Sequence, residues 1–354
     1  MRRILLDNIA AGMKIAKPLY SADGKILLNA GLEVKDSYVR RLRELDLSYI
    51  YVEDELTADI EVPDVVSEKA RIEAVNTAKN IMDKVKVGKM VDAGQAKKTA
   101  NNLVDELCRN KGTLVNFIDL RTRSDYLFNH SVSVCILSIM TGISMGYDEL
   151  RLRDLGVGAL LHDIGKIMLD QELLNKSDRL TAKELEETRQ HSQLGFDILR
   201  KNPDISLLSA HCAFQHHERY DGSGYPRGLS GCEIHEFAQV VALADSYDAL
   251  TSDVSYRAAV PVYEALAIIA NESGSNFNPT VVDNFTSNIA IYPIGTVVRL
   301  SNNEIGVVVD ISKEVKHKPV VRIIADEYQQ RIDRIVEIDL SKNSRLYIAD
   351  VVER

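Results

Sequence analysis

A chain of 354 residues, 45% of them hydrophobic, exceeds one typical domain and can bury two or three ordinary soluble cores. Its formal net charge of −9 argues against polymeric nucleic acid as a partner, because non-specific binding needs a broad basic surface. A small anionic ligand stays compatible, since two or three local cations can hold one. Cys108, Cys135, Cys212 and Cys232 are widely spaced with no CxxC pair. That fits buried thiols in a reducing cytoplasm and disfavours a thiolate zinc site. Met1-Arg2-Arg3 leads into a short apolar stretch, so no signal peptide is expected. The most apolar run, 132–145, is interrupted by Ser133, Ser138 and Thr141 and is shorter than the ~20 residues that span a bilayer. The expectation is a soluble, cytoplasmic protein with no membrane partner.

Residues 1–57 read as a small mixed α/β module. Ala22-Asp23-Gly24-Lys25 is a hairpin-turn signal between the apolar runs 15–20 and 26–28. A helix capped by Asp36 or Ser37 follows, with Val39, Leu42 and Leu45 on one face, and 49–52 reads as a further strand. Nothing there carries chemistry, and a regulatory or packing role is the default. Residues 58–66, acidic and containing Pro63, read as a linker. From 67 to 288 the pattern is helical, beginning with helices at 67–87 and 96–110 around a break at 88–94. No sustained heptad is visible, so packing is favoured for this pair, with a homodimer through 67–110 as the other reading.

Apolar residues on several faces make 126–143 a buried core helix with His130 near its start. The next helix, 150–162, ends on the pair His162-Asp163. Thr181-x-x-Glu184 is a capping box for a helix that carries His191. Asp204 can cap a helix that ends in His216 and His217. Segment 237–250 carries Asp245 and Asp248, three residues apart and so neighbours on its surface. Beyond 289 the β-branched runs 297–300, 305–309 and 320–324 are separated by Asn302-Asn303 and a polar loop with Pro319. Residues 289–354 therefore read as a small antiparallel sheet or barrel. The fold class is mainly α, a helical domain flanked by a small N-terminal α/β module and a small C-terminal β-rich one.

Five of the eight histidines, His130, His162, His191, His216 and His217, fall in the helical stretch beside Asp163 and Asp245. A lone histidine on a core helix is usually a satisfied packing residue, and only the company of the others changes that reading. Imidazole and carboxylate without thiolate suit iron, manganese or zinc. This set exceeds the needs of one tetrahedral ion and suits two ions that share a carboxylate. Asp163 as the bridge would hold them ~3.5–4 Å apart, the separation used in two-metal phosphate hydrolysis, where a water between the ions becomes the nucleophile. Lys166 lies close enough in sequence to add a cation at the same phosphate. In Asp221-Gly222-Ser223-Gly224-Tyr225-Pro226 two glycines permit close ligand approach, and Tyr225 offers a ring and a hydroxyl. Alone this is an ordinary turn; next to His216-His217 it becomes a wall of a substrate pocket. His211 and His235 read as packing or surface residues.

The run His216-His217-Glu218-Arg219-Tyr220-Asp221-Gly222-Ser223-Gly224-Tyr225-Pro226 is followed by Arg227-Gly228-Leu229 and later by Ala244-Asp245-Ser246-Tyr247-Asp248-Ala249-Leu250-Thr251. Together they resemble the HD-GYP branch of the HD phosphohydrolase superfamily, over roughly 114–285. The resemblance implies a helical domain that binds two or three metals, often iron or manganese. It implies hydrolysis of cyclic di-GMP to linear pGpG and often on to GMP, with related cyclic dinucleotides accepted by some members. By position it implies metal ligands at His130, His162, Asp163, His191, His216, His217 and Asp245. It also implies catalytic roles for Asp163 and Lys166, and substrate contacts from Lys166, Gly224, Tyr225, Pro226, Asp248 and Arg257.

Two departures from the family pattern matter. Tyr126 stands where some members place a glutamate for a third metal, so two divalent ions are expected, iron or manganese ahead of zinc, nickel or magnesium. Val254-Ser255-Tyr256-Arg257 stands where Arg-Pro-Tyr-Arg is common, which removes one cation and leaves Arg257 as the remaining grip. A charge-assisted phosphate contact contributes roughly 1.5–3 kcal/mol, so affinity or substrate choice changes about ten-fold or more. The leading expectation is a cyclic di-GMP phosphodiesterase. The alternatives are a binding-only cyclic-dinucleotide effector, favoured by Val254 and the two end modules, and an HD hydrolase of a different nucleotide.

Overall fold

The computed structural model describes every residue except 21–25, 45–48, 54, 111, 116–125, 175, 177, 253–258, 313–314, 333 and 353–354. The N-terminal module contains β1 (Arg2–Leu5), β2 (Lys14–Ile15), β3 (Leu19–Tyr20), β4 (Ile26–Leu28), α1 (Asp36–Glu44) and β5 (Tyr49–Glu53). β5 is the middle of an antiparallel sheet ordered β1-β5-β2, while β3 and β4 pair separately. Ile4, Ile15, Leu19, Val34, Leu42, Ile50 and Val52 form the module's core. The turn expected at 22–25 and Leu45 lie outside the described residues.

Residues 58–66 are not the solvated linker that their acids and proline suggested. Ile60 and Val62 are buried in the core of the C-terminal sheet, and Val65 and Val66 in the helical core. Two of its three acids are engaged: Asp59 accepts from Arg322 at 2.8 Å and Asp64 from Lys17 at 2.9 Å.

Helix starts in the central domain follow capping chemistry. α2 (Glu68–Lys86) begins where Ser67 Oγ accepts from Ala70 N, and α3 (Ala93–Arg109) where Asp92 accepts from Gln95 N. Each cap satisfies an N–H that the first turn leaves without an internal partner. The Glu106 carboxylate accepts from both Ser67 N and Ser67 Oγ, tying α3 to the start of α2. α4 (Tyr126–Ser144) is the spine, with every residue from His130 to Gly142 buried. It is longer than the run 132–145 implied: at 19 residues it is long and apolar enough to cross a membrane, but 72% of its most apolar window is buried inside the protein. Its apolar surface serves packing here.

α5 (Glu149–Leu160), capped by Asp148, packs on α4 and runs into a 3-10 turn, Ile164–Met168. The domain continues through α6 (Gln171–Leu174), α7 (Ala182–Arg189), α8 (His191–Leu199), α9 (Leu207–Gln215), α10 (Glu236–Thr251), α11 (Val262–Asn271) and α12 (Pro279–Thr286). Two starts differ from expectation. Thr181 and Glu184 do form a reciprocal capping box, but the helix they open stops at Arg189, and His191 opens a separate one after Gln190. Ser206, rather than Asp204, caps α9. Asp204 is held one turn earlier, its N–H donating to the Asn202 side chain at 2.9 Å.

The C-terminal strands β6 (Val297–Leu300), β7 (Ile305–Asp310), β8 (Val320–Ala325), β9 (Glu337–Asp339) and β10 (Ile348–Val351) form one antiparallel sheet ordered β10-β6-β7-β8-β9. Buried Arg322 on β8 donates to Asp59, Glu337 and the Leu56 carbonyl, which joins the sheet to the segment leaving β5.

Candidate metal centre

Five elements converge on one buried cluster. His130 comes from the second turn of α4, and His162 and Asp163 from the turn that leaves α5. His191 is the first residue of α8. His216 closes α9 with His217 beside it, and Asp245 sits on α10. Close backbone approach makes this convergence possible. A Cβ on Gly165 would overlap the His191 carbonyl and lie 2.7 Å from Gly195 N, so only glycine lets the 3-10 turn touch α8.

Asp163 stands at the centre with its two oxygens facing opposite ways. Oδ1 lies 3.6 Å from His191 Nε2 and 3.7 Å from His216 Nε2. Oδ2 lies 3.4 Å from His162 Nε2 and 3.7 Å from His130 Nε2. Asp245 Oδ1 joins the second set, 2.9 Å from His130 Nε2. His217 Nε2 joins the first, 3.1 Å from His191 Nε2. Ligand atoms ~2.0–2.1 Å from a common ion at tetrahedral angles lie about 3.3 Å apart, the spacing seen within each set.

The hydrogen bonds behind the cluster fix which nitrogen faces it. Carbonyls only accept, so the Nδ1–H groups donate outward: His162 to Ala159 O (2.8 Å), His191 to Thr188 O (2.7 Å), and His216 to Cys212 O (2.9 Å). Each Nε2 therefore presents a lone pair inward. The His191 and His216 lone pairs face each other at 3.3 Å, an arrangement that needs a cation. His162 Nε2 and Asp163 Oδ1 are fully buried with no hydrogen-bond partner, which is costly unless an ion satisfies them. The residues present fit divalent metal binding, with outward-bonded imidazoles as in known metal sites.

The charges agree with that fit. Burial lowers the His191 and His216 imidazoles and brings His217 down to about 3, so all three are neutral at ordinary pH. Burial alone would raise the Asp163 carboxyl, but Lys166 and then the surrounding imidazoles outweigh it and hold it well below the usual carboxylate range. Lys166 Nζ donates to Asp163 Oδ2 at 2.5 Å, placing a positive charge at the shared carboxylate. At His130 in the metal-free protein burial opposes the charged form, yet the hydrogen bonds it donates to Asp245 and Asp248 prevail and raise the imidazolium to about 9, so an ion there would have to displace its proton.

That shift sets a pH dependence for metal-free protein. A folded pKa above the ordinary 6.5 stabilises the fold fully below pH 6.5, and the contribution, at most about 3 kcal/mol, is lost as pH rises through 9. Chelator-treated protein is expected to melt at progressively lower temperature between pH 7 and 9, and His130→Gln to flatten that dependence. A wild-type melting temperature that stays level over this interval would count against the His130 assignment.

Asp248, expected at the substrate, is buried, and its carboxylate accepts from His130 Nδ1 at 2.7 Å. It is placed to orient the His130 ring. Asp248→Ala is expected to weaken metal binding by about 10–100-fold, measured by metal titration; wild-type affinity would contradict this role. Tyr126 stacks on the His130 ring, 5.4 Å between centroids. Tyr225 stacks on His217 at 4.7 Å, and a Cβ on Gly224 would overlap the backbone of 217–219. Pro226 follows a cis peptide bond.

The loop is anchored by a residue that motif reading passed over. Buried Glu218 accepts from Arg227 N at 2.8 Å and Leu229 N at 3.0 Å. Its place directly after the histidine pair was the available signal. His235 caps α10 through Phe237 N, and His211 lies near Gln215 and Phe196, both away from the metal ligands. Arg257 and Val254 lie outside the described residues. Of the cysteines, Cys135 and Cys212 are buried as expected, but Cys232 is exposed.

Residues 119–281 match the model of the HD domain family. The helical domain contains an HD domain, and its motifs resemble those of the HD-GYP branch. Residues 297–354 match the KOW domain associated with HD domain. Along the sequence, the HD-GYP domain and its surroundings are similar to a cyclic di-GMP phosphodiesterase of Pseudomonas aeruginosa. The two are 34% identical over 225 residues, 64% of this chain and 54% of the relative. A cyclic di-GMP phosphodiesterase of Thermotoga maritima is 43% identical over 157 residues, 44% of this chain and 43% of the relative. The chain thus spans about half the length of the curated relatives it matches. In fold it is similar to an HDG"Y"P protein from Bdellovibrio bacteriovorus, with a TM-score of 0.50 and 19% identity over 80% of this chain and 97% of that one.

Proposed function

We propose that the HD-GYP domain is a metal-dependent phosphodiesterase that hydrolyses cyclic di-GMP to linear pGpG, to GMP, or to both. The observation that carries this reading is the two-faced carboxylate of Asp163, set between His191, His216 and His217 on one side and His130, His162 and Asp245 on the other. Two divalent ions, iron or manganese as the family resemblance implies, would supply Lewis acidity for phosphoryl oxygens and acidify water near neutral pH. Asp163 holds its charge at the centre because Lys166 and the imidazoles keep it ionised. Lys166 is partly exposed and near enough to transfer a hydrogen bond from Asp163 to a phosphoryl oxygen. The loop held by Glu218 keeps Tyr225 flat against His217, an aromatic wall on which a base or ribose can rest.

The relatives named for cyclic di-GMP support that substrate. A 3'3'-cGAMP-specific phosphodiesterase of Vibrio cholerae, 34% identical over 157 residues, makes a mixed cyclic dinucleotide the second candidate. The free state of all four cysteines supports a cytoplasmic setting.

The test is anaerobic turnover by protein loaded with iron or manganese, with cyclic di-GMP and 3'3'-cGAMP in parallel and products separated by chromatography. Linear dinucleotide or GMP from cyclic di-GMP is the expected result. Faster turnover of 3'3'-cGAMP would move the substrate assignment. Tight dinucleotide binding with two bound metals and no product would replace the enzyme by an effector.

A further inference from the structure

Arg189 ends α7, two residues before the ligand His191, and its role is unassigned by the site described above. Its guanidinium lies 4.9 Å from the centre of the Tyr225 ring. Tyr225 in turn stacks on His217 at 4.7 Å, and His217 Nε2 sits 3.1 Å from His191 Nε2. A cation, a phenol ring and a ligand imidazole thus form a row from the rim to the metal cluster. Arg189 is 43% exposed, and its acidic neighbour Glu186, 3.8 Å away, is 73% exposed. Such a solvated pair holds its members weakly, whereas Lys166 is bound tightly to Asp163 at 2.5 Å. Arg189 therefore offers a charge near the centre that a ligand can recruit.

We propose that Arg189 binds the second phosphate of a cyclic dinucleotide, the one not undergoing cleavage, with Tyr225 fixing its direction. The inference rests on the substrate class proposed above. A cyclic dinucleotide carries two phosphodiesters in one ring, and a single metal centre faces only one at a time. The other keeps its negative charge and needs a counter-charge to the side of the centre. The planar guanidinium, oriented by the ring beneath it, presents its N–H fork to phosphate oxygens.

The experiment compares cyclic di-GMP with bis(p-nitrophenyl) phosphate, a diester with one phosphate, in wild type, Arg189→Ala and Arg189→Lys. Arg189→Ala is expected to lower kcat/KM for cyclic di-GMP at least about ten-fold more than for the one-phosphate diester, chiefly through KM, as loss of a charge-assisted contact requires. Arg189→Lys is expected to recover only part of the loss, because a point charge still serves phosphate but lacks the stacked N–H fork. Equal losses on both substrates would show that Arg189 only supports Tyr225 or the helix end, and would overturn the proposal. Cyclic di-GMP binding, measured by calorimetry on metal-loaded protein, is a readout independent of turnover. Equal affinity in wild type and Arg189→Ala overturns this assignment even if hydrolysis fails, and weaker binding in the variant supports it even then.

Discussion

Asp163→Asn is expected to abolish turnover and to leave the protein unable to hold two ions at once. Asparagine keeps the volume of the side chain but offers one acceptor oxygen and no charge, while Asp163 serves imidazoles from four elements with two oxygens. The electrostatic assistance of metal ions at a phosphoryl centre amounts to several kcal/mol. At ~1.4 kcal/mol per decade of rate, the loss is on the order of 10³-fold or more. Elemental analysis beside the activity assay separates the causes. The expected variant retains at most one ion per chain, and one that kept two ions with wild-type turnover would remove Asp163 from the centre of the mechanism.

Gly165→Ala is expected to act on the same centre through the backbone. The new methyl would overlap the His191 carbonyl and crowd Gly195 N at 2.7 Å. No flexible side chain is available to move aside, so the 3-10 turn and α8 must separate. Overpacking of this kind typically costs about 1–3 kcal/mol, and more where backbone must shift. Because α8 begins with His191, the separation is felt by His191, His216 and His217 and much less by His130, His162 and Asp245. The expected protein melts several degrees lower and binds one ion with near wild-type affinity and the second far more weakly. Two tight ions at an unchanged melting temperature would mean that the turn and α8 part without cost.

The residues that meet at the cluster were legible in sequence because their chemistry is scarce: paired histidines, the His-Asp pair and the GYP loop have few bland explanations once seen together. The Thr181-Glu184 capping box was an equally local signal. What escaped was set by partners distant in sequence. Asp248 reads as a neighbour of Asp245 on one helix, yet its carboxylate meets His130 on α4. Gly165 looks like part of a motif, and only the position of α8 shows why it has no side chain. The stretch 58–66 carries linker composition, but its apolar residues find two cores and Asp59 finds Arg322. The separation of α7 from α8 had no local mark either, since Gln190 is neither glycine nor proline.

The burial of Ile60 and Val62 in one core and of Val65 and Val66 in the next makes this segment a strut instead of a tether. A flexible tether lets two bodies tumble within its reach and passes on little of either one's motion. A strut seated at both ends converts a shift of the sheet into a displacement of the start of α2, where Ser67 is already clasped by Glu106. Any ligand that repositions the terminal modules would thereby push on the outer helices of the helical domain directly.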